Sequence, residues 1–141
     1  MARRCLIDAG PLVAFFIRRD QHHNWAVSHF KAQTAPFATC EAVLAEAEHI
    51  LERSEPAASE KLRSLLETGV MEISFSLHEQ LAAVLKLQRR YADVPMALAD
   101  ACLVRMAEMD EGASIFTTDS HFRIYRKSNR KVIPLILPHE R

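Results

Sequence analysis

Short apolar runs alternate along the chain with longer stretches in which apolar residues recur at helical spacing. The first run, Cys5-Leu6-Ile7, is stopped by Asp8-Ala9-Gly10-Pro11. This pattern predicts a buried strand and then a turn into a helix over residues 12–18. The N-terminal segment is therefore predicted to be a βα unit.

The same criteria divide the rest of the chain into further elements. They predict helices over residues 22–31, 40–53, 57–67, 77–91 and 95–109, and strands over residues 36–38, 70–75, 114–118 and 131–137. Thr39 is the expected N-cap of the helix that reaches Arg53. Short apolar strands between helices predict an α/β fold, a three-layer α/β/α sandwich with a central parallel sheet.

Composition adds limits to this picture. A chain of 141 residues, 49% of them hydrophobic, fits one domain over residues 1–141. Its apolar runs are much shorter than the roughly 20 residues of a membrane span, so we expect a cytoplasmic protein. The three cysteines lack CxxC spacing and lie among apolar residues, which argues against a disulfide framework or a zinc knuckle.

Charge is balanced overall but segregated along the chain. The formal net charge is zero, so any argument for a nucleic-acid partner has to be local. A basic stretch follows Asp119, and it contains Arg123, Arg126, Lys127, Arg130 and Lys131. Such residues form either a solvated face or, beside a metal site, contacts to phosphates.

Two aspartates stand directly after predicted strands. Asp8 follows the first apolar run, and Asp119 follows Ile115-Phe116-Thr117-Thr118. In open α/β sheets, ligands bind outside the carboxyl ends of the strands, which favours a functional role. The alternative is that each aspartate only caps the helix or turn that follows it.

Two further acids are predicted to face inward from helices. At about 100° per residue, Glu46 lies nearly opposite the acidic face that Glu41, Glu48 and Glu52 form, and Asp100 lies near Val104 and Ala107. Each could instead form a salt bridge, with Arg53 or Arg105. Four acids at one site would raise one another's pKa values unless a divalent cation, Mg²⁺ or Mn²⁺, offsets the repulsion.

Other catalytic patterns are absent or weak. The sequence has no HExxH, Gly-rich phosphate loop or GxSxG motif. Glu46 and His49 have the spacing of a di-iron ligand pair, but the chain holds no second copy. His22, His23 and His121 could serve as acids, bases or ligands, although histidines near helix starts are more often surface or capping residues. His121 is the better candidate because it follows Asp119 closely.

Four ordered segments resemble the PIN-domain nucleases, in particular the VapC-type toxins of bacterial toxin–antitoxin pairs. These segments are Leu6-Ile7-Asp8-Ala9-Gly10-Pro11-Leu12-Val13-Ala14, Thr39-Cys40-Glu41-Ala42-Val43-Leu44-Ala45-Glu46-Ala47, Leu98-Ala99-Asp100-Ala101-Cys102-Leu103-Val104 and Ile115-Phe116-Thr117-Thr118-Asp119-Ser120-His121-Phe122. They occur in the family's order and span nearly the whole chain.

The resemblance implies a set of roles. Asp8, Glu46, Asp100 and Asp119 match the family's metal-binding catalytic acids, and Thr117 or Ser120 would be accessory polar groups, with His121, Arg123 and Arg126 nearby. Asp8, Asp100 and Asp119 would hold Mg²⁺ or Mn²⁺, while Glu46 completes the cluster or orients the attacking water. One departure is Ala97, where relatives often carry another aspartate, so a second metal is in doubt.

The resemblance also implies an endoribonuclease, a homodimer and a small VapB-like antitoxin protein as partner. Two other functions stay open. A DNA-directed, flap-type nuclease would use the same acids, although a chain of this length has little room for elements that grip DNA. A degenerate PIN fold that only binds RNA or protein is the second, and retention of all four acids argues against it.

Overall fold

A parallel sheet of five short strands forms the centre of the structure, a computed structural model that describes residues 4–138. The two ends of the domain predicted over residues 1–141 therefore lie outside the described residues. The strands of this sheet are β1 (Cys5–Ile7), β2 (Phe37–Thr39), β3 (Met71–Ile73), β4 (Ser114–Phe116) and β7 (Leu135–Ile136), and those of a separate antiparallel hairpin are β5 (Arg126–Lys127) and β6 (Lys131–Val132).

Six α-helices flank the sheet. They are α1 (Ala9–Phe16), α2 (His23–Ala32), α3 (Glu41–Ser54), α4 (Pro56–Glu67), α5 (Leu77–Arg90) and α6 (Leu98–Met109). All residues of β1 and β2 are buried, as expected for a parallel sheet covered on both faces. The predicted three-layer α/β/α sandwich is thus confirmed. Within residues 4–138, no helix has the length and apolar character that crossing a membrane requires.

The strand order β3-β2-β1-β4-β7 contains one reversal of direction along the sheet. From β1 the chain builds outward through β2 to β3, and it then returns to place β4 on the other side of β1. The β1–β4 junction is therefore the topological switch point, where open α/β sheets commonly bind ligands. In the pairing register, Ile7 lies opposite Phe116, so Asp8 and Thr117 leave the sheet side by side.

Several predicted boundaries were wrong. Helix α1 begins at Ala9 and not at residue 12, because Asp8 already caps it. Thr39 is the last residue of β2 and not an N-cap, since its hydroxyl donates a hydrogen bond to the carbonyl of Ile7, and Cys40 precedes α3 instead. Pro95 lies before the first turn of α6, which begins at Leu98.

The predicted strand over residues 131–137 is two strands that belong to different sheets. Ser128 and Asn129 adopt positive φ angles of 51° and 73°, which lets β6 fold back on β5 as a tight hairpin. Pro134 cannot donate a backbone hydrogen bond and interrupts the run. Its carbonyl accepts from Ile115, which starts the pairing of β7 with β4.

Gly10 lets helix α1 approach the loop that follows β4. A Cβ atom at this position would lie 2.1 Å from Oγ1 of Thr118 and 3.1 Å from its Cβ. Rotating the Thr118 side chain would not remove both contacts. A glycine is therefore required where α1 meets this loop.

We expect Gly10→Ala to destabilise the fold by about 1–3 kcal/mol, the usual cost of overpacking, although alanine favours helix more than glycine does. Urea denaturation of the two proteins measures the difference. Adding Thr118→Ala to the Gly10→Ala variant should recover part of the loss. A Gly10→Ala protein as stable as the parent would contradict the close approach.

Candidate active site

Asp8 is the buried member of the predicted acid set, with 7% of its surface exposed. It leaves the end of β1 and is the N-cap of α1, where its Oδ1 accepts a hydrogen bond from the Ala9 amide at 2.8 Å. Its own amide donates to the carbonyl of Phe116 on β4. The capping role considered from the sequence is real, and it fixes the carboxylate at the switch point.

Thr117 connects Asp8 with Asp119. The Thr117 hydroxyl donates to Oδ2 of Asp8 at 2.7 Å and accepts from the Asp119 amide at 3.0 Å. Asp119 in turn caps a short 3-10 helix (Ser120–Arg123) by accepting from the His121 amide, and Nδ1 of His121 lies 3.2 Å from the same oxygen, Oδ1. The buried threonine thus holds the two strand-end aspartates in register.

Asp100 occupies the first turn of α6 and is half-buried. Its Oδ2 accepts from the amide of Ala97 at 3.3 Å. Ala97 is the position where the related nucleases often carry another aspartate. The hydroxyl of the fully buried Tyr125 also donates to this oxygen, at 3.4 Å. Asp100 is therefore oriented by the start of its own helix and by a tyrosine from the region after β4.

Glu46 is exposed, which corrects the prediction that it faces the core. The buried residues of α3 are Val43, Ala47 and Leu51, and Glu46 lies about 100° from Ala47 around the helix. Its side chain is therefore at the margin of the apolar face. The acids predicted on the opposite, solvated face behave as expected, since Glu48 and Glu52 both form ion pairs with Arg63.

All four predicted acids line one cavity of about 410 Å³, which we call the acidic cavity. The residues around it are Asp8, Ala9, Gly10, Val13, Asp20, Gln21, His22, Glu46, Ile50, Asp100, Thr118 and Asp119. Among residues 4–138, no lysine or arginine lines the cavity. The cavity thus combines five carboxyl groups with one histidine, and the fifth carboxyl group, that of Asp20, comes from the segment between α1 and α2.

The predicted accessory residues lie around the acidic cavity but do not line it. Thr117 acts from behind Asp8, and the exposed Ser120 and His121 belong to the 3-10 helix. The Arg126 guanidinium donates to three backbone carbonyls, those of residues 123, 124 and 125, so it braces this loop. Arg123 is exposed one turn beyond Asp119.

Burial changes the protonation of two of the acids. It raises the pKa of Asp8 to about 6; the hydrogen bonds from Thr117 and Ala9 oppose the shift, and the charges of Glu46 and Asp119 add to it. Burial also raises the pKa of Asp100 to about 6, followed in size by the charges of Asp8 and Asp119. The predicted rise in these pKa values is correct, but desolvation, and not repulsion between the acids, is its leading cause.

The amino-acid sequence matches the family described as PIN domain over residues 5–128, and this range contains all four acids. The chain belongs to the PIN domain family. PIN domains are generally metal-dependent nucleases, which hydrolyse phosphodiester bonds. No curated protein matches the chain significantly.

The donor set of this PIN domain fits a hard divalent cation. Carboxylate oxygens are the preferred ligands of Mg²⁺ and Mn²⁺, and a cation would offset the cost of ionising Asp8 and Asp100 in a buried place. Across residues 4–138, however, no three His, Cys, Asp or Glu side chains are close enough together to surround an ion as they stand. Binding would therefore require the carboxylates to move toward one another.

The sequence pattern did not mark two residues at the site, Asp20 and Tyr125. Asp20 and His22 line the acidic cavity from the α1–α2 connection, where the Asp20 carboxylate also accepts from the His22 amide at 2.8 Å. Tyr125 supports Asp100 from outside the cavity. No periodicity marks a loop residue as inward-facing, but an aspartate and a histidine two positions apart could have been noted as a polar pair.

The raised pKa values predict how stability depends on pH in the presence of a chelator. Between about 4 and about 6, the folded protein retains protons on Asp8 and Asp100 that the unfolded chain releases, so these two groups lower stability as the pH rises. Thermal unfolding measured across this range should show a smaller decline in Asp8→Asn than in the parent. If the parent and Asp8→Asn lost stability equally as the pH rises, burial of Asp8 would not disfavour its charged form.

Proposed function

We propose that this PIN domain is an endoribonuclease dependent on Mg²⁺ or Mn²⁺ and that it is the toxin of a toxin–antitoxin pair. The observation that carries the proposal is the acidic cavity, where acids from β1, α3, α6 and the end of β4 meet at the switch point of the sheet. Carboxylates that share a cavity favour a bound cation, and no cationic side chain of the described part of the chain lines this one.

Each acid has a role that its surroundings support. Hydrogen bonds at the starts of helical segments orient Asp8, Asp100 and Asp119, so these three would be the direct ligands. Glu46 is the exposed member and would complete the cluster or orient the attacking water from the solvent side. The bound cation would stabilise the charge that develops on the phosphate in the transition state.

Thr117 would be a positioning residue. It touches Asp8 and the backbone of Asp119 but does not line the acidic cavity. One carboxylate oxygen of Asp8 accepts from the Thr117 hydroxyl, and the other accepts from the Ala9 amide. Each of these oxygens has a further lone pair. Asp8 can therefore bind a cation without giving up either hydrogen bond.

RNA as substrate follows from the resemblance to VapC-type nucleases, and the basic stretch after Asp119 supports contact with RNA phosphates. An acidic cavity repels a polyanion, so phosphates need cationic contacts at its border. The exposed Arg123, the last residue of the 3-10 helix that Asp119 caps, would supply one. Arg126 would contribute by holding this loop in place.

An antitoxin and a second copy of the chain are the proposed protein partners. Leu98 is 39% exposed and Ile124 is 48% exposed, and both belong to the segments that carry Asp100 and Asp119. Apolar side chains exposed to solvent are suited to burial against a protein. A partner that covers them would contact the segments that carry these two acids.

We expect Asp8→Asn and Asp119→Asn to lower Mn²⁺-dependent RNA cleavage by about 100-fold or more, as for the loss of one electrostatic group at a reacting phosphate. Labelled RNAs and DNAs of the same sequence, incubated with Mn²⁺ or chelator, provide the measurement. Glu46→Gln should also lose activity, whereas the matched control Glu48→Gln on the solvated face of α3 should not.

The outcomes separate the alternatives. Faster cleavage of DNA than of RNA would contradict the proposed substrate in favour of a DNA-directed nuclease. Binding of RNA without any cleavage would favour a binding module. Undiminished cleavage in Asp8→Asn would contradict the assignment of the site.

Thr117→Val keeps the shape of the side chain but removes the hydroxyl between Asp8 and Asp119. We expect about 10–100-fold weaker metal-dependent activity, which is typical when a ligand's supporting hydrogen bond is lost. Thr117→Ser retains the hydroxyl and should retain most of the activity. The comparison requires cleavage rates measured over a series of Mn²⁺ concentrations, and a Val variant with the parent's Mn²⁺ dependence would exclude the positioning role.

A further inference from the structure

Two of the three cysteines lie side by side. Cys40 directly precedes α3, Cys102 lies within α6, and both side chains line the same cavity, where a hydrogen bond between the two thiols lowers the pKa of Cys40. Both residues are buried, with 2% and 1% of their surfaces exposed. The third cysteine, Cys5, lies in β1 and is also buried. The proposed nuclease mechanism uses none of these thiols.

We propose that Cys40 and Cys102 form a reversible disulfide bond by exchange with a small organic disulfide. The sequence alone argued against a structural disulfide framework, and this bond is a different feature because it joins only one pair. The inference stands on the contact between the two thiols and on the cavity that reaches them. It does not depend on the proposed function.

A separate cavity of about 410 Å³, which we call the thiol cavity, gives a reagent access to the pair. Both cysteines line it, together with Glu41, Ala42, Phe75, Ser76, Leu77 and His78. A small disulfide of a few heavy atoms fits within this volume. Cys5 is not among the lining residues, so access distinguishes the pair from the third cysteine.

The exchange takes two steps that balance. The Cys40 thiolate attacks one sulfur of the small disulfide, which forms a mixed disulfide and releases one small thiolate that takes up the proton lost by Cys40. The Cys102 sulfur then attacks the Cys40 sulfur, and the second small thiol leaves with the Cys102 proton. Two protein thiols are oxidised, and one small disulfide is reduced to two small thiols.

The surroundings favour Cys40 as the thiol that attacks the reagent first. A hydrogen bond from the Cys102 thiol lowers the pKa of Cys40, and the backbone amides of Val43 and Ala42 at the start of α3 act in the same direction. Burial raises the pKa of Cys5 to about 12, which keeps that thiol protonated and unreactive. The chain therefore contains its own unreactive reference thiol.

The bond would connect two elements of the candidate active site. Helix α3 carries Glu46, and helix α6 carries Asp100 two residues before Cys102. A disulfide requires its sulfurs to be about 2 Å apart, closer than two thiols in hydrogen-bonding contact, so the two side chains must approach each other. The bond would tie the start of α3 to α6 and restrict their relative movement.

The test is peptide mapping by mass spectrometry after incubating the folded protein with 2-hydroxyethyl disulfide. We expect the peptide containing Cys40 to be linked to the one containing Cys102, with the loss of two hydrogen atoms and reversal by a reducing agent. Cys5 should stay unmodified until the protein is unfolded in denaturant. No linkage, or linkage through Cys5 in the folded protein, would overturn the proposal.

Variants distinguish the two steps. In Cys102→Ser the reaction should stop at the mixed disulfide on Cys40, and in Cys40→Ser the modification of Cys102 should be lost. Cys5→Ser, the matched control, should form the same linked peptide as the parent. Circular dichroism checks that each variant is folded, and the mapping of the parent decides the question if a variant is not. Modification of Cys102 before Cys40 would contradict the assigned order.

Discussion

The parallel pairing of β1 with β4 is the constraint on which the rest of the site depends. Ile7 lies opposite Phe116, and the amide of Asp8 donates to the Phe116 carbonyl at 2.9 Å. This register brings Thr117 beside Asp8, so that one buried hydroxyl can contact both Asp8 and the backbone of Asp119. A slip of one residue would turn every side chain to the other face and separate these groups.

The same arrangement stabilises the helices and concentrates negative charge. Asp8 and Asp119 cap the segments that follow them, and Asp100 accepts from the amide that precedes its helix. Hydrogen bonds and helix dipoles at these positions favour the ionised forms. Burial acts in the opposite direction and prevails at Asp8 and Asp100, whose pKa values rise to about 6. Ionising Asp8 and Asp100 therefore lowers the stability of the fold, and a cation bound beside them would offset this cost.

Sequence patterns predicted the fold class and the residues that meet in the acidic cavity, because apolar runs locate strands and acids after them mark the carboxyl edge of a sheet. Helical projection was less reliable for Glu46, since it gives an angle but not the width of the buried face. Asp20 and Tyr125 reach the site from loops, where no periodicity operates. The split at Pro134 depends on tertiary pairing with β4, which a local apolar run does not reveal.

The binding of a divalent cation in the acidic cavity is tested most directly by diffraction from crystals grown with Mn²⁺, using the anomalous signal of the ion. We expect a peak in the acidic cavity, within bonding distance of carboxylate oxygens of Asp8, Asp100 and Asp119, with these side chains drawn closer together. The peak should be absent from crystals of Asp8→Asn prepared in the same way. Crystals fully treated with Mn²⁺ that show no peak in the cavity would contradict the assignment of these acids as metal ligands.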